Sequence, residues 1–312
     1  MSHWQFLPVP FKFQLSDLTL FSVSLPLQVR AERLLDDTAP VRVPMPPVGE
    51  LLAGSQGFVI HALPLAEPSP PVRRAGNYLC YVPQQYEHCY IDLGIGFERY
   101  QGKFSAKTRA TILRKVRKYA EHCGGAIAWQ TFRTPDELAR FFRLAGTLSK
   151  TTYQERLLDA GLPDSDKFRQ QALVLAGQDR LRAYLLYSGE RPVAYLFCPV
   201  EDEVLSYAYV GYDPAYIHLS VGTVLQWLAI EQLFGEARFR YFDFTEGQSE
   251  HKRLFATDRR LCGKVFLVKR SLRNCAVIHC HRMMNRLSSW LGAAMARLGL
   301  KARVKRVLRF VR

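Results

Sequence analysis

The chain has 312 residues, about twice an ordinary domain, so two domains are expected. An apolar content of 48% excludes a disordered chain, and the absence of any run of about 18 apolar residues excludes a simple membrane-spanning helix. The net charge of +15 sits at one end: residues 259–312 hold 15 Lys and Arg with no Asp or Glu, whereas the first 258 carry 28 of each sign.

From the amino terminus to about residue 100 the chain reads as short strands broken by prolines. Phe11 to Leu27 and Gly57 to Leu65 are apolar runs, Tyr78 to Val82 and Glu87 to Leu93 alternate, and Pro40 to Pro47 and Pro64 to Pro71 are loops. Residues 97–123 read as a helix with Ile112, Leu113, Val116 and Tyr119 on its apolar side. Lys103, Lys107, Arg109, Arg114, Lys115, Arg117 and Lys118 stud the remainder. Such a face either binds an anion near a cleft or is simply solvated.

A second domain is expected from Gly124. Ala126 to Phe132 reads as a strand, and Thr134-Pro135-Asp136-Glu137 sets a capping-box helix start. A second helix follows near Asp166 to Ala176, then strands at Leu181 to Tyr187, Val193 to Val200 and Val204 to Gly211. After a turn at Asp213-Pro214, helical spacing runs from Ser220 to Phe234, with Ser220 as N-cap and Gly235 just past the end. A strand from Phe239 to Phe244, a short helix and a last strand at Lys264 to Val268 complete an α/β (α+β) domain. The strand, helix, strand unit over 205–244 is a right-handed crossover, and ligands bind at the carboxyl ends of such strands. A polar cluster, Asp243, Glu246, Gly247 and His251-Lys252-Arg253, stands there.

Four short motifs in this stretch carry a family likeness. They are Gly211-Tyr212-Asp213-Pro214, Ser220-Val221-Gly222, Asp243-Phe244-Thr245-Glu246-Gly247 and His251-Lys252, with histidine in place of an aromatic residue before the lysine. Together they resemble the GNAT acyltransferase superfamily, in particular its CelD-like branch tied to cellulose or exopolysaccharide synthesis and the related Fem-type aminoacyl-transferases. Ser105-Ala106-Lys107-Thr108-Arg109 is similar to a further motif of that branch, while 216–222 has a single glycine where typical members carry a richer pyrophosphate loop. The resemblance implies a mixed sheet with splayed central strands, here 204–211 and 239–244. It further implies a tandem of a degenerate amino-terminal domain (1–123) and a complete acyltransferase domain (124–271), with 272–312 as a basic helical tail.

The resemblance also implies a donor, acetyl-CoA or another acyl-CoA. Its pantetheine arm would pair with the splayed strands and its diphosphate would rest on the N–H groups of Val221, Gly222 and Thr223 beside Ser220. Asp243 would act as base or orienting carboxylate with Glu246 nearby, Val210 would offer its N–H to the oxyanion, and Tyr209 or Tyr212 would protonate the thiolate. Lys252 would contact donor phosphate or the reacting carbonyl. The acceptor would be an amine or amino sugar of envelope or exopolysaccharide synthesis. Aminoacyl transfer from tRNA and a non-catalytic scaffold are the alternatives.

The seven cysteines lack a Cys-x-x-Cys pair and point to a reducing, cytoplasmic setting, and no signal peptide is read at the amino terminus. Cys275, His279, Cys280 and His281 lack a second ligand pair, so no metal is expected. The tail reads as a helix with Leu272, Ala276, Cys280, Met283, Leu287, Trp290, Leu291, Ala294, Met295 and Leu298 on one face, and a basic amphipathic pattern resumes over 300–312. That last segment suits an anionic membrane surface, an acidic protein, tRNA or a polyanionic glycan.

Overall fold

A computed structural model describes residues 4–15, 18–45, 49–150, 161–247 and 249–297. The strands are β1 (Gln5–Leu15), β2 (Leu18–Ala31), β3 (Gly57–Pro64), β4 (Val72–Ala75), β5 (Tyr78–Asp92), β6 (Trp129–Phe132), β7 (Leu181–Ser188), β8 (Arg191–Glu201), β9 (Val204–Ser206), β10 (Tyr209–Tyr212), β11 (Tyr241–Asp243) and β12 (Asp258–Lys269). The helices are α1 (Phe97–Gly102), α2 (Ala106–His122), α3 (Pro135–Ser149), α4 (Asp166–Gly177), α5 (Val221–Glu236), α6 (Glu250–Phe255) and α7 (Leu272–Arg297). The chain forms two compact units, one from Met1–Glu87 with Arg260–Arg312 and one from His88–Arg259.

In the first unit β1 and β2 form an antiparallel hairpin, β2 continues parallel to β3, and β12 pairs antiparallel with β3. Period-two alternation sorts its apolar side chains. Val59, Phe266 and Val268 join Phe11, Phe13, Leu25, Leu27 and Ile278 of α7 on one face, while Phe58, Ile60, Val265 and Leu267 join Leu63, Leu65 and Val82 on the other. The apolar run 11–27 is therefore a hairpin, and the two alternating segments at 78–93 are one continuous strand.

In the second unit the strand order is the end of β5, then β11, β9, β8, β7 and β6, with β10 also paired to β8. Among the described strands of this unit, only β9 and β11 run parallel. The same alternation places Leu185, Tyr195 and Phe197 under α3 and α4, and Tyr184, Leu196 and Cys198 under α1, α2 and α5. The capping box at α3 forms as read, with the Glu137 carboxylate accepting the Thr134 N–H at 3.0 Å. Helix α5 is apolar nearly all round, which makes it the buried axis of the unit. Arg182, 1% exposed, is held inside by Glu236 at 2.9 Å and Asp179 at 2.7 Å, so its charge is compensated where water cannot reach.

The domain boundaries differ from those expected at 123 and 271. Residues 88–123 belong with the second unit because Tyr100, Phe104, Ile112 and Tyr119 fill its core, with the Tyr100 ring tilted against Phe234 at 5.0 Å. Residues 260–271 close the sheet of the first unit rather than the second. The segment 300–312 lies outside the described residues.

Candidate active site

The parallel pair at the centre of the second unit opens after three residues. Val204, Leu205 and Ser206 face Tyr241, Phe242 and Asp243, and the last link is the Tyr207 N–H to the Asp243 carbonyl at 2.8 Å. Beyond it β10 swings to β8, with Tyr209 opposite Phe197 and Tyr212 opposite Ala194. The other strand bends away at Thr245, whose φ of 59° is left-handed. Alternate N–H and C=O groups of β10 therefore face away from β8 with no strand partner among the described residues.

A cavity of about 380 Å³ occupies this opening, lined by Tyr207, Val210, Tyr212, Ile217, Ser220, Val221, Gly222, Thr223 and His251. Buried Asp213 shapes its rim: the carboxylate accepts the Ala215 N–H at 2.9 Å and the Arg191 guanidinium at 2.6 Å, fixing a short 3-10 helix over Pro214–Leu219. The chain then turns through Ser220 at φ 55° into α5. Ser220 differs from its expected role, since its side chain caps nothing. Its carbonyl accepts the N–H groups of Thr223 at 2.9 Å and Val224 at 3.1 Å. Thr223 is thus spent, and Val221 and Gly222 are left as the first-turn donors with no carbonyl inside the helix to bond. With the positive end of the helix dipole behind them, they favour an anion.

At the fork itself Asp243 Oδ1 accepts the Thr245 N–H at 2.6 Å and lies 2.6 Å from His88 Nε2. His88 comes from β5, two residues before Tyr90, which faces Asp243 across the ladder. It is buried, and no local pattern marks it: it precedes its partner by 155 positions. Lys252, half-buried on α6, donates to the Glu246 carbonyl at 2.7 Å. Burial holds its ammonium below the usual lysine range, while the nearby charges of Asp243, Cys89 and Glu246 oppose that shift. Glu246 thus meets Lys252 through its backbone carbonyl, and the residue is exposed outside the cavity lining.

Tyr209 is not in the cavity. Its ring packs 5.4 Å from Phe168 and 6.0 Å from Phe197 in the core under α3 and α4, because strand alternation turns it opposite to Val210. Tyr207 and Tyr212 stand in the lining instead. Burial pushes the Tyr207 phenol well above its ordinary range, so it stays protonated at working pH. Sequence reading also passed over Gln226, buried one turn beyond Gly222, whose Oε1 lies 2.5 Å from His251 Nε2.

Burial, with a smaller contribution from Lys115, pushes the His251 imidazole down to about 4. The unfolded chain takes up this proton near 6.5 and the folded chain refuses it until about 4, so stability is full above pH 6.5 and declines as pH falls toward 4. We expect His251→Phe to flatten that decline. Thermal melts at pH 7 and pH 5 should show a smaller drop for the variant than for the wild type, and equal drops would remove His251 as the cause.

Helix α2 stands close to the same rim. Lys118 donates to the His218 carbonyl at 3.1 Å, and Lys115 is near enough for its charge to bear on His251. Arg114, Arg117 and Lys118 are exposed on this helix. None of these four cations is paired with a carboxylate among the described residues. Elsewhere, no group of three potential metal-ligating side chains assembles among the described residues, and His281 Nδ1 lies 2.7 Å from the Tyr81 hydroxyl.

Residues 106–253, from α2 through most of α6, match the family described as acetyltransferase (GNAT) domain. Solved structures that align with this chain include FemX, at 10% identity and a TM-score of 0.46, over 72% of this chain and 75% of that one. L-PGS from Bacillus licheniformis aligns at 15% identity and a TM-score of 0.43, over 74% and 72%. The ribosomal-protein-S18-alanine N-acetyltransferase from Escherichia coli aligns at 13% identity and 0.30, over 48% and 98%. No curated protein matches the chain.

Proposed function

We propose, from the match of residues 106–253 to the acetyltransferase (GNAT) domain family, that this chain transfers an acyl group from an acyl-CoA to an amine. The observation that supports it most is the fork after Ser206 and Asp243, with a cavity inside it and a helix amino terminus on its wall. The unpaired edge of β10 suits the amides of a pantetheine arm. The Val221 and Gly222 N–H groups suit a diphosphate, and Lys115, Lys118, Arg114 and Arg117 supply positive charge where a glycine-rich loop is missing.

In the step itself the amine nitrogen attacks the thioester carbon, the C–S bond breaks and the ammonium proton leaves. Asp243, oriented by His88, is the base nearest the fork, and the Val210 N–H faces the developing oxyanion. Tyr207 or Tyr212 donates a proton to the departing thiolate. Lys252 balances the carboxylate at the fork. The acceptor, an amine or amino sugar of envelope or exopolysaccharide synthesis, rests on the resemblance of the four motifs to those of the CelD-like branch.

Thermal melting with acetyl-CoA and longer acyl-CoAs tests the reading. Ligand at about a hundred times its Kd should add about 2.7 kcal/mol and raise the midpoint by several degrees. Silence toward every thioester with a response to aminoacyl-tRNA would move the chain to the Fem-type alternative. Silence toward both would leave a non-catalytic scaffold.

A further inference from the structure

Helix α7 is seated in the first unit by the side that its sequence pattern does not favour. Ile278 is fully buried, Asn274 is 3% exposed, and His281 stands edge-on to Phe11 at 5.4 Å and Phe13 at 5.6 Å. The first six positions of the apolar stripe read from the sequence point the other way. Leu272 is 95% exposed, Met283 70%, Leu287 45% and Trp290 66%, with Ala276 and Cys280 exposed between them. These positions follow one another at steps of four and three, so they form a single ridge about 27 Å long at 1.5 Å per residue.

A ridge of this composition on a soluble surface costs free energy unless something covers it. Its flanks say what. Arg273 lies on one side and Arg286 on the other, both exposed, and the stretch 259–312 contains 15 basic residues and no acidic one. A second copy laid along the ridge would set arginine against arginine with no carboxylate from either helix to answer, which is repulsive. An anionic bilayer answers the same charges: basic residues near such a surface are attracted to it, and a tryptophan beside aliphatic side chains suits the headgroup boundary. No described helix is long and apolar enough to cross a membrane, so the ridge would lie in the plane. The β1–β2 hairpin exposes apolar side chains of its own: Phe21, 53% exposed, stacks on Phe13, and Leu18 and Leu20 are 48% exposed.

We propose that the outward face of α7, through Met283, Leu287 and Trp290, docks this protein flat on an anionic lipid surface. The full chain is mixed with vesicles of phosphatidylcholine alone or with phosphatidylglycerol, and binding is followed by sedimentation and by quenching with brominated lipid. Wild type should bind the anionic vesicles only, more weakly as salt rises, and Trp290→Phe should remove most of the quenching while binding persists. Met283→Glu with Leu287→Glu should weaken binding roughly tenfold or more, with the melting point unchanged because both side chains are exposed. Three results overturn the proposal: no vesicle binding, a concentration-dependent dimer abolished by the same double variant, or binding lost on removing 300–312 yet retained by the double variant.

Discussion

Replacing Gly222 by phenylalanine should raise the Kd for acetyl-CoA by about a hundredfold or more while leaving the unliganded protein folded. Gly222 is helical with no left-handed strain, and a Cβ there would stand 3.4 Å from Tyr212 Cδ1, an ordinary contact. Alanine is therefore tolerated, with donor affinity within a few-fold of wild type. A benzyl group has only the 380 Å³ cavity to enter, and it would cover the Val221 and Gly222 N–H groups as well. Loss of two charge-assisted hydrogen bonds at about 1.5 kcal/mol or more each, plus the lost volume, accounts for the size of the effect. Isothermal titration with acetyl-CoA, paired with an apo melt, measures both halves. Unchanged affinity in the phenylalanine variant would take the donor out of this cavity.

Asp243→Asn should cut turnover on the order of a hundredfold while donor affinity stays within about twofold. Asparagine keeps an oxygen for the Thr245 N–H at 2.6 Å, so the bend after β11 survives. What it loses is the negative charge that orients His88 and helps keep the Lys252 ammonium protonated. Steady-state kinetics with a general amine acceptor, alongside titration of the donor, separates chemistry from binding. Turnover at the wild-type rate would exclude this carboxylate from the step.

The two variants probe opposite kinds of information. Gly222 and Asp243 lie in one stretch of chain, and their neighbourhood was readable because helix starts and strand ends leave local marks: a Ser-x-Gly turn, an Asp-Pro turn, an Asp-Phe pair. His88 and Gln226 left no such mark. His88 acquires its meaning from a cross-strand position opposite a residue 155 places later, and Gln226 looks like one polar residue on an apolar helix until His251 is brought against it.

Tyr209 shows the limit inside a single strand. Tyr207, Tyr209 and Tyr212 are equivalent as residue types, and the irregular step at Ala208 decides which of them reach the cavity. The α7 ridge shows the same limit at larger scale. Helical spacing identified the stripe, but the seat offered by Phe11, Phe13 and Tyr81 took the opposite side of the helix.

The amino-acid order alone settled the alternation of strands and helices over 126–268, the turn at Asp213-Pro214, the capping box at Thr134 and the one-sided charge of the carboxyl end, because each depends on neighbours a few residues apart. Tertiary structure decided where β9 and β11 separate, that 88–123 completes the second unit, that His88 meets Asp243, and which face of α7 is left outside. Those outcomes turn on competition among distant surfaces for the same side chains, and periodicity can name the competitors without ranking them.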